Sequence, residues 1–215
     1  MTGPGQAGEA PLVAVVDDDE AIRSALGSLL RSVGFRVETF GATQDFLASD
    51  AAREANCLIL DIRLPRVGGL EFQSQLAAAG IAIPIIFMTG HGDIPMTVRA
   101  MKAGAVDFLA KPFRDQDMLD AVTAAIERDR QRREGDGLIQ DQRARYRCLS
   151  EREKEVMALA ASGLMNKQIA FELGISEITV KIHRGRVMRK MEASSFADLV
   201  RMAEALEIRR DKPAR

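Results

Sequence analysis

Five polar residues stand just past the ends of separate apolar runs, and their types suit them to accept a phosphoryl group. The runs 12–16, 57–60, 84–88 and 106–110 lead into Asp17-Asp18, Asp61, Thr89 and Lys111-Pro112. Ends of neighbouring parallel strands lie side by side, so these runs would bring three carboxylates, a hydroxyl and an ammonium group into one crevice. Two carboxylates about 4 Å apart repel by roughly 4 kcal/mol at an effective dielectric near 20. Such a cluster either takes up protons or recruits a cation, and oxygen-only ligands in a small site favour Mg²⁺. The cation offsets the charge of an incoming phosphoryl group and leaves one carboxylate free to attack phosphorus. Asp61 is the best nucleophile, because it stands alone on its strand while Asp17 and Asp18 form a pair. Lys111 would hold a phosphate oxygen as a point charge, and Thr89 would donate its hydroxyl to another. Asp19 and Glu20 fit an acid-rich helix N-terminus.

The elements needed to position these groups are visible in the spacing of apolar residues. Ala21, Ile22, Ala25, Leu26, Leu29 and Leu30 recur at helical spacing up to Gly34. A strand over 36–40 leads to a helix over 42–51. Leu70, Gln73 and Leu76 mark a third helix, Ile94, Val98 and Met101 a fourth ending at Gly104, and Met118, Leu119, Val122 and Ile126 a fifth. Five β-α units predict a doubly wound parallel sheet with helices on both faces. Right-handed crossovers leave few topologies. The flavodoxin-like order 2-1-3-4-5 places a ligand between the first and third strands, where Asp17, Asp18 and Asp61 end.

Composition sets the outer bounds. The chain has 215 residues, 47% hydrophobic and 28% charged, enough apolar content for real cores in a soluble, cytoplasmic protein. No stretch reaches the length of a membrane span, and residues 1–11 read as a disordered tail rich in small residues. Two distant cysteines, Cys57 and Cys148, supply neither a disulfide framework nor a zinc site, and Cys57 reads as core packing. Beyond residue 148 there are 13 Lys and Arg against 10 Asp and Glu, while residues 1–148 hold 17 against 21. An acidic front and a mildly basic back suit a regulatory module joined to a nucleic-acid binder.

Residues 129–147 read as a helix end and a partly helical linker interrupted by Gly135 and Gly137. Ser150 and Glu153 then form a capping box that opens a helix with Val156, Leu159 and Ala160 on its apolar face. A short helix over 166–173, a turn at Gly174-Ile175-Ser176 and a longer helix over 177–191 make a helix-turn-helix arrangement. Val180, Val187 and Met191 form the inward stripe of the longer helix. Lys181, Ile182, Gly185 and Arg189 face outward, flanked by Arg184 and Arg186. An apolar Ile182 exposed among cations favours major-groove binding over an ordinary solvated face. Gly185 costs about 1 kcal/mol of helix stability relative to Ala, and close approach of the backbone to DNA is a reason for it.

Val16-Asp17-Asp18-Asp19, Leu60-Asp61-Ile62-Arg63-Leu64-Pro65, Met88-Thr89-Gly90-His91-Gly92-Asp93 and Lys111-Pro112-Phe113 resemble the receiver domains of two-component response regulators over residues 12–128. The resemblance implies that Asp61 is the phospho-acceptor and that Asp17, Asp18, Asp61 and the backbone carbonyl of Arg63 bind Mg²⁺. It also implies that Thr89 and Phe108 are the switch pair, that the Lys111-Pro112 bond is cis, and that Arg63 and His91 tune dephosphorylation. Leu149-Ser150-Glu151-Arg152-Glu153, Gly163-Leu164-Met165-Asn166-Lys167-Gln168-Ile169-Ala170 and Thr179-Val180-Lys181-Ile182-His183 resemble a LuxR-type DNA-binding domain over 148–210, followed by a tail over 211–215. A receiver joined to this domain is the FixJ/NarL class of transcription regulator. Base readout then falls on Lys181, Ile182 and Gly185, with Lys167, Thr179, Arg184 and Arg189 as phosphate contacts. The class implies a sensor histidine kinase, promoter DNA and RNA polymerase as partners. It also implies a homodimer on phosphorylation through Val98, Met101, Lys102 and Asp107. A phosphatase is disfavoured because Arg63, and no second acid, stands two residues after Asp61, so no enzyme is expected. A phosphorylation-independent DNA-binding regulator with a vestigial receiver is the other alternative, and the complete acid-hydroxyl-lysine set argues against it.

Overall fold

A computed structural model of the chain describes residues 10–90 and 94–208. His91, the expected 211–215 tail and residues 1–9 of the expected N-terminal tail lie outside them. Five strands, β1 (Leu12–Val16), β2 (Arg36–Phe40), β3 (Cys57–Asp61), β4 (Ile85–Thr89) and β5 (Asp107–Ala110), form one sheet in the order β2-β1-β3-β4-β5. All neighbours pair in parallel, with Val16 beside Leu60, Asp61 beside Met88 and Thr89 beside Ala110.

Strands that are apolar throughout need cover on both faces, and alternation sorts their side chains. Ala14, Val16, Leu58, Leu60, Ile85 and Phe87 point to one face. There they meet Phe46 of α2 (Thr43–Ala48), Ala51 and Ala52 of α3 (Ala51–Glu54), Phe72 and Leu76 of α4 (Gly69–Ala78) and Ala100 of α5 (Ile94–Lys102). Val13, Val15, Cys57, Ile59, Ile86 and Met88 point to the other. They pack on Leu26 and Leu30 of α1 (Glu20–Ser32) and on Met118, Ala121, Val122 and Ala125 of α6 (Asp115–Arg147). Each large side chain buried this way stabilises the fold by roughly 1.5–3 kcal/mol. Burial, with the charge of nearby Asp129, pushes the Cys57 thiol far above its ordinary range, so Cys57 packs and does not react.

Two elements differ from the sequence expectation. The helix expected over 42–51 is two short helices, because Ser49 leaves helical backbone and both its amide and its hydroxyl donate to the Phe46 carbonyl. The linker expected over 129–147 is helical throughout, as part of α6, which runs through Gly135 and Gly137. Glycine weakens a helix by about 1 kcal/mol but, unlike proline, removes no hydrogen bond. Ion pairs Arg130–Glu127 (2.8 Å) and Arg132–Asp129 (2.7 Å) flank the glycines on the N-terminal side. At the opposite end of the sheet from Asp61, Asn56 accepts from the Leu12 amide (3.0 Å) and donates to buried Asp129 (2.9 Å), which fastens α6 to β1.

The chain divides after Arg132 into two compact units. The second contains α7 (Glu151–Ala161), α8 (Asn166–Leu173), α9 (Glu177–Lys190) and α10 (Phe196–Ala205). The expected capping box is present, with the Ser150 hydroxyl accepting from the Glu153 amide and Glu153 accepting from the Ser150 amide. Val156, Leu159, Ala160, Ile169 and Val180 form one core, and Met157, Val187, Met191, Leu199 and Met202 another. Gly174 ends α8 in the left-handed conformation (φ 65°), and Ser176 caps α9 by accepting from the Thr179 amide. α10 went unread in the sequence, although Ser195 caps it and Leu199, Met202 and Ala203 recur at helical spacing.

Glu153 is nearly inaccessible to solvent and receives both the Lys190 ammonium (2.7 Å) and the Ser150 amide (2.8 Å), which hold its carboxyl at about 2. A carboxyl depressed in the fold contributes stability above its unfolded value, and that contribution is lost as pH falls through the folded value. Resistance to urea should therefore fall between about pH 4.5 and 2, followed by the fluorescence of Tyr146, the one tyrosine in a chain without tryptophan. Glu153→Gln should remove that acid-dependent part of the loss and lower neutral-pH stability by a similar amount, roughly 1–3 kcal/mol, since Gln still completes the capping box but offers no charge to Lys190. An unchanged acid slope in the variant would refute the assignment.

Candidate phosphoryl-acceptor site and nucleic-acid interface

The strand order reverses between β1 and β3, and the crevice beyond their carboxyl ends is where the acidic residues meet. Asp17 and Asp61 are buried and Asp18 is exposed, with one carboxylate oxygen of each lying within 4.8 Å of the others. Asp17 Oδ1 accepts from the Asp19 amide (2.9 Å), and Asp61 Oδ2 accepts from the Arg63 amide (3.1 Å). These bonds orient each carboxylate and bring the Arg63 backbone to the site. Asp19 itself caps α1 by accepting from the Ala21 and Ile22 amides, as an acidic helix start should.

Lys111 crosses the crevice from the end of β5. Its Nζ lies 2.6 Å from Asp17 Oδ2 and 3.0 Å from Asp61 Oδ1. Burial acts to lower the ammonium's pKa, but the hydrogen bonds and charges of Asp17 and Asp61 outweigh it and raise the group above an ordinary lysine. A single ammonium does not neutralise three carboxylates, so the pocket retains negative charge. Its donors are all oxygen, which suits a hard divalent cation. The Lys111-Pro112 bond is cis, and the Lys111 amide donates to the Thr89 carbonyl (2.7 Å), setting β5 against β4 at the site.

Thr89 is fully buried and Phe108 half-buried. Phe87 pairs with Phe108 and Thr89 with Ala110, so Thr89 and Phe108 are diagonal neighbours on the face covered by α4 and α5. Val98 and Met101 of α5 are each 44% exposed and so are not core residues; Lys102 is exposed and Asp107 half-buried. Gly69 was not singled out in the sequence. A Cβ there would lie 2.7 Å from the Asp61 carbonyl oxygen, 3.0 Å from Ile62 Cα and 3.2 Å from Phe87, so α4 can approach the acceptor strand only with glycine at this position. The signal in the sequence was the Gly68-Gly69 pair opening the third helix.

In the second unit, α8, the turn and α9 form the helix-turn-helix. Lys181, Ile182, Gly185 and Arg189 are exposed on α9, and Lys167 is exposed on α8. Thr179 is half-buried, its hydroxyl 2.9 Å from that of Ser176. Arg184, read in the sequence as a phosphate contact, also braces the unit: it donates to Asn166 (2.7 Å) and stacks 4.6 Å from the Phe196 ring centre. That structural task was not legible, because Asn166 and Phe196 lie on different helices.

Residues 13–123 match the family model described as response regulator receiver domain, and residues 147–203 match that of bacterial regulatory proteins, luxR family. The chain is 56% identical over 206 residues to nodulation protein W of Bradyrhizobium diazoefficiens, covering 96% of this chain and 91% of that protein. It is 44% identical over 193 residues to transcriptional regulatory protein FixJ of Rhizobium meliloti, covering 90% and 95%. A solved structure of the response regulator StyR aligns with a TM-score of 0.78 at 48% identity, covering 91% of this chain and 99% of that one.

The close approach at Gly69 is testable. Gly69→Ala should destabilise the chain by about 1–3 kcal/mol and slow phosphoryl uptake from a small phosphodonor, read by intact mass. Gly68→Ala, whose Cβ would meet only the Ile62 carbonyl at 3.8 Å, should leave both nearly unchanged. Equal behaviour of the two variants would show that the contact is not needed.

Proposed function

Since the chain belongs to the response regulators that join a receiver to a LuxR-family DNA-binding domain, we propose that Asp61 accepts a phosphoryl group from a partner histidine kinase. Phosphorylation then favours receiver dimerisation and promoter binding. The observation that carries this reading is the Lys111 ammonium bridging Asp17 and Asp61 beside Asp18. Asp17, Asp18, Asp61 and the Arg63 carbonyl would hold Mg²⁺, which when bound supplies charge neutralisation to the phosphoryl oxygens.

An Asp61 carboxylate oxygen attacks phosphorus. The new O–P bond forms as the P–N bond of a phosphohistidine breaks, and its electron pair leaves with the imidazole. Lys111 shifts from a carboxylate to a phosphoryl oxygen, and the Thr89 hydroxyl donates to another. Phe108 turns inward behind Thr89. Arg63 and His91 tune how fast water removes the group. The resulting population shift favours a receiver that pairs through Val98, Met101, Lys102 and Asp107, with Lys102 and Asp107 exchanging ion pairs across a two-fold axis.

Paired DNA-binding domains suit a two-fold promoter site. Lys181, Ile182 and the bare backbone at Gly185 face the bases, while Lys167, Thr179, Arg184 and Arg189 hold phosphates. RNA polymerase is the further partner and the cytoplasm the setting. No helix among the described residues is long and apolar enough to cross a membrane. The acid-hydroxyl-lysine set disfavours a phosphorylation-independent regulator, and Arg63, in place of a second acid two residues after Asp61, disfavours a phosphatase.

With Mg²⁺ and a small phosphodonor, the wild type should gain one phosphoryl group by intact mass and double its molar mass by light scattering. Asp61→Asn should do neither, and full dimerisation of that variant would defeat the mechanism. Met101→Glu should still take up phosphoryl but dimerise about tenfold or more weakly, because the new charge would be buried at the contact. Dimerisation at wild-type strength would move the interface elsewhere.

A further inference from the structure

The outward ridge of α9 begins one turn earlier than the residues assigned so far. Ile178, Ile182, Gly185 and Arg189 recur at i, i+4, i+7 and i+11, so they line the helix face opposite the buried Val180 and Val187. Ile178 is 71% exposed and Ile182 50% exposed. Nothing lies within 4 Å of a Cβ built at Gly185. The ridge therefore reads apolar, apolar, bare backbone, cation, with exposed Lys181 and Arg186 on its two sides.

We propose that Ile178 is a further specificity-determining residue beside the base-reading position Ile182, and that the two read the 5-methyl groups of thymine in the major groove. The inference rests on the DNA-binding reading of this unit. Residues near the start of a recognition helix are the ones that meet base edges, and Ile178 stands second in α9. The major-groove edge of thymine carries the C5 methyl group, the one apolar feature among the four bases there. Isoleucine offers no donor or acceptor, so it leaves the polar groups of any base edge without a partner and gains a contact only where a thymine methyl faces it. The missing side chain at Gly185 lets the helix axis come close enough for branched side chains to touch a methyl. Beside the ridge, Arg186 matches the phosphates that border the groove, while Lys181 keeps its place at the bases. Together these features select A·T pairs at the positions facing Ile178 and Ile182.

The test uses the full-length protein treated with phosphodonor and Mg²⁺ to select duplexes from a random-sequence library. The enriched duplex is then remade with deoxyuridine at each thymidine in turn, which removes only the methyl. Affinities are measured at one salt concentration for wild type, Ile178→Ala and Ile182→Ala. Wild type should bind roughly fourfold more weakly where a contacted methyl is removed, which is what burial of one CH₂ is worth. Ile178→Ala should lose that discrimination at one position and Ile182→Ala at another, both keeping the wild-type salt slope. Equal wild-type affinity for thymidine and deoxyuridine at every position overturns the proposal, as does undiminished discrimination in both variants. Failure to enrich any duplex over random DNA would instead remove the DNA-binding reading on which it stands.

Discussion

Carboxylates whose oxygens come within 4.8 Å of one another repel, and at the acceptor site they stay together because the strands that carry them cannot separate. Each pair costs roughly 4 kcal/mol at an effective dielectric near 20. Against that stand β1 and β3, buried along their whole length, with each large side chain contributing roughly 1.5–3 kcal/mol. Burial wins, so the site relieves its repulsion by attracting charge and not by opening. The Lys111 ammonium supplies part of that relief from inside the fold. The remaining negative charge suits a cation from solution, the role proposed for Mg²⁺.

The two faces of the sheet divide the remaining work. α1 and α6 clamp one face around Val13, Val15, Ile59 and Met88, and the Asn56–Asp129 bond pins α6 at the far end. Thr89 and Phe108 belong to the other face, the one shared with α4 and α5. In the proposed switch, a change at the hydroxyl or the ring therefore meets α5 first, and α5 carries the half-exposed Val98 and Met101. The contact at Gly69 sets α4 directly against β3, with no room for a side chain between them.

Most of this arrangement was legible because four of the five parallel strands leave an apolar run that ends in one of the site's polar residues. The capping box at Ser150 and Glu153 was equally plain, since its geometry depends on residues three apart. What escaped depends on residues far apart in the chain or on competing local bonds. The Ser49 hydroxyl that divides α2 from α3 could not be weighed against helical spacing, and the glycines of α6 read as a break although nothing in them forbids a helix. Arg184 looked like any cation on a basic helix until Asn166 and Phe196 were brought beside it. Gly69 mattered only once Asp61 lay against it.

The salt bridge between Asp17 and Lys111 joins residues 94 apart in the chain. A ribosome adds about 5–20 residues per second, so the acceptor aspartate emerges seconds before the ammonium that completes its surroundings. β5, the edge strand beside β4, arrives in the same late stretch. A nascent or truncated receiver thus carries Asp61 without the Lys111 ammonium that completes its pocket. In the proposed mechanism, a phosphoryl group on Asp61 would thereby report that synthesis and folding of the whole receiver have finished, so that transcription would answer only to complete molecules.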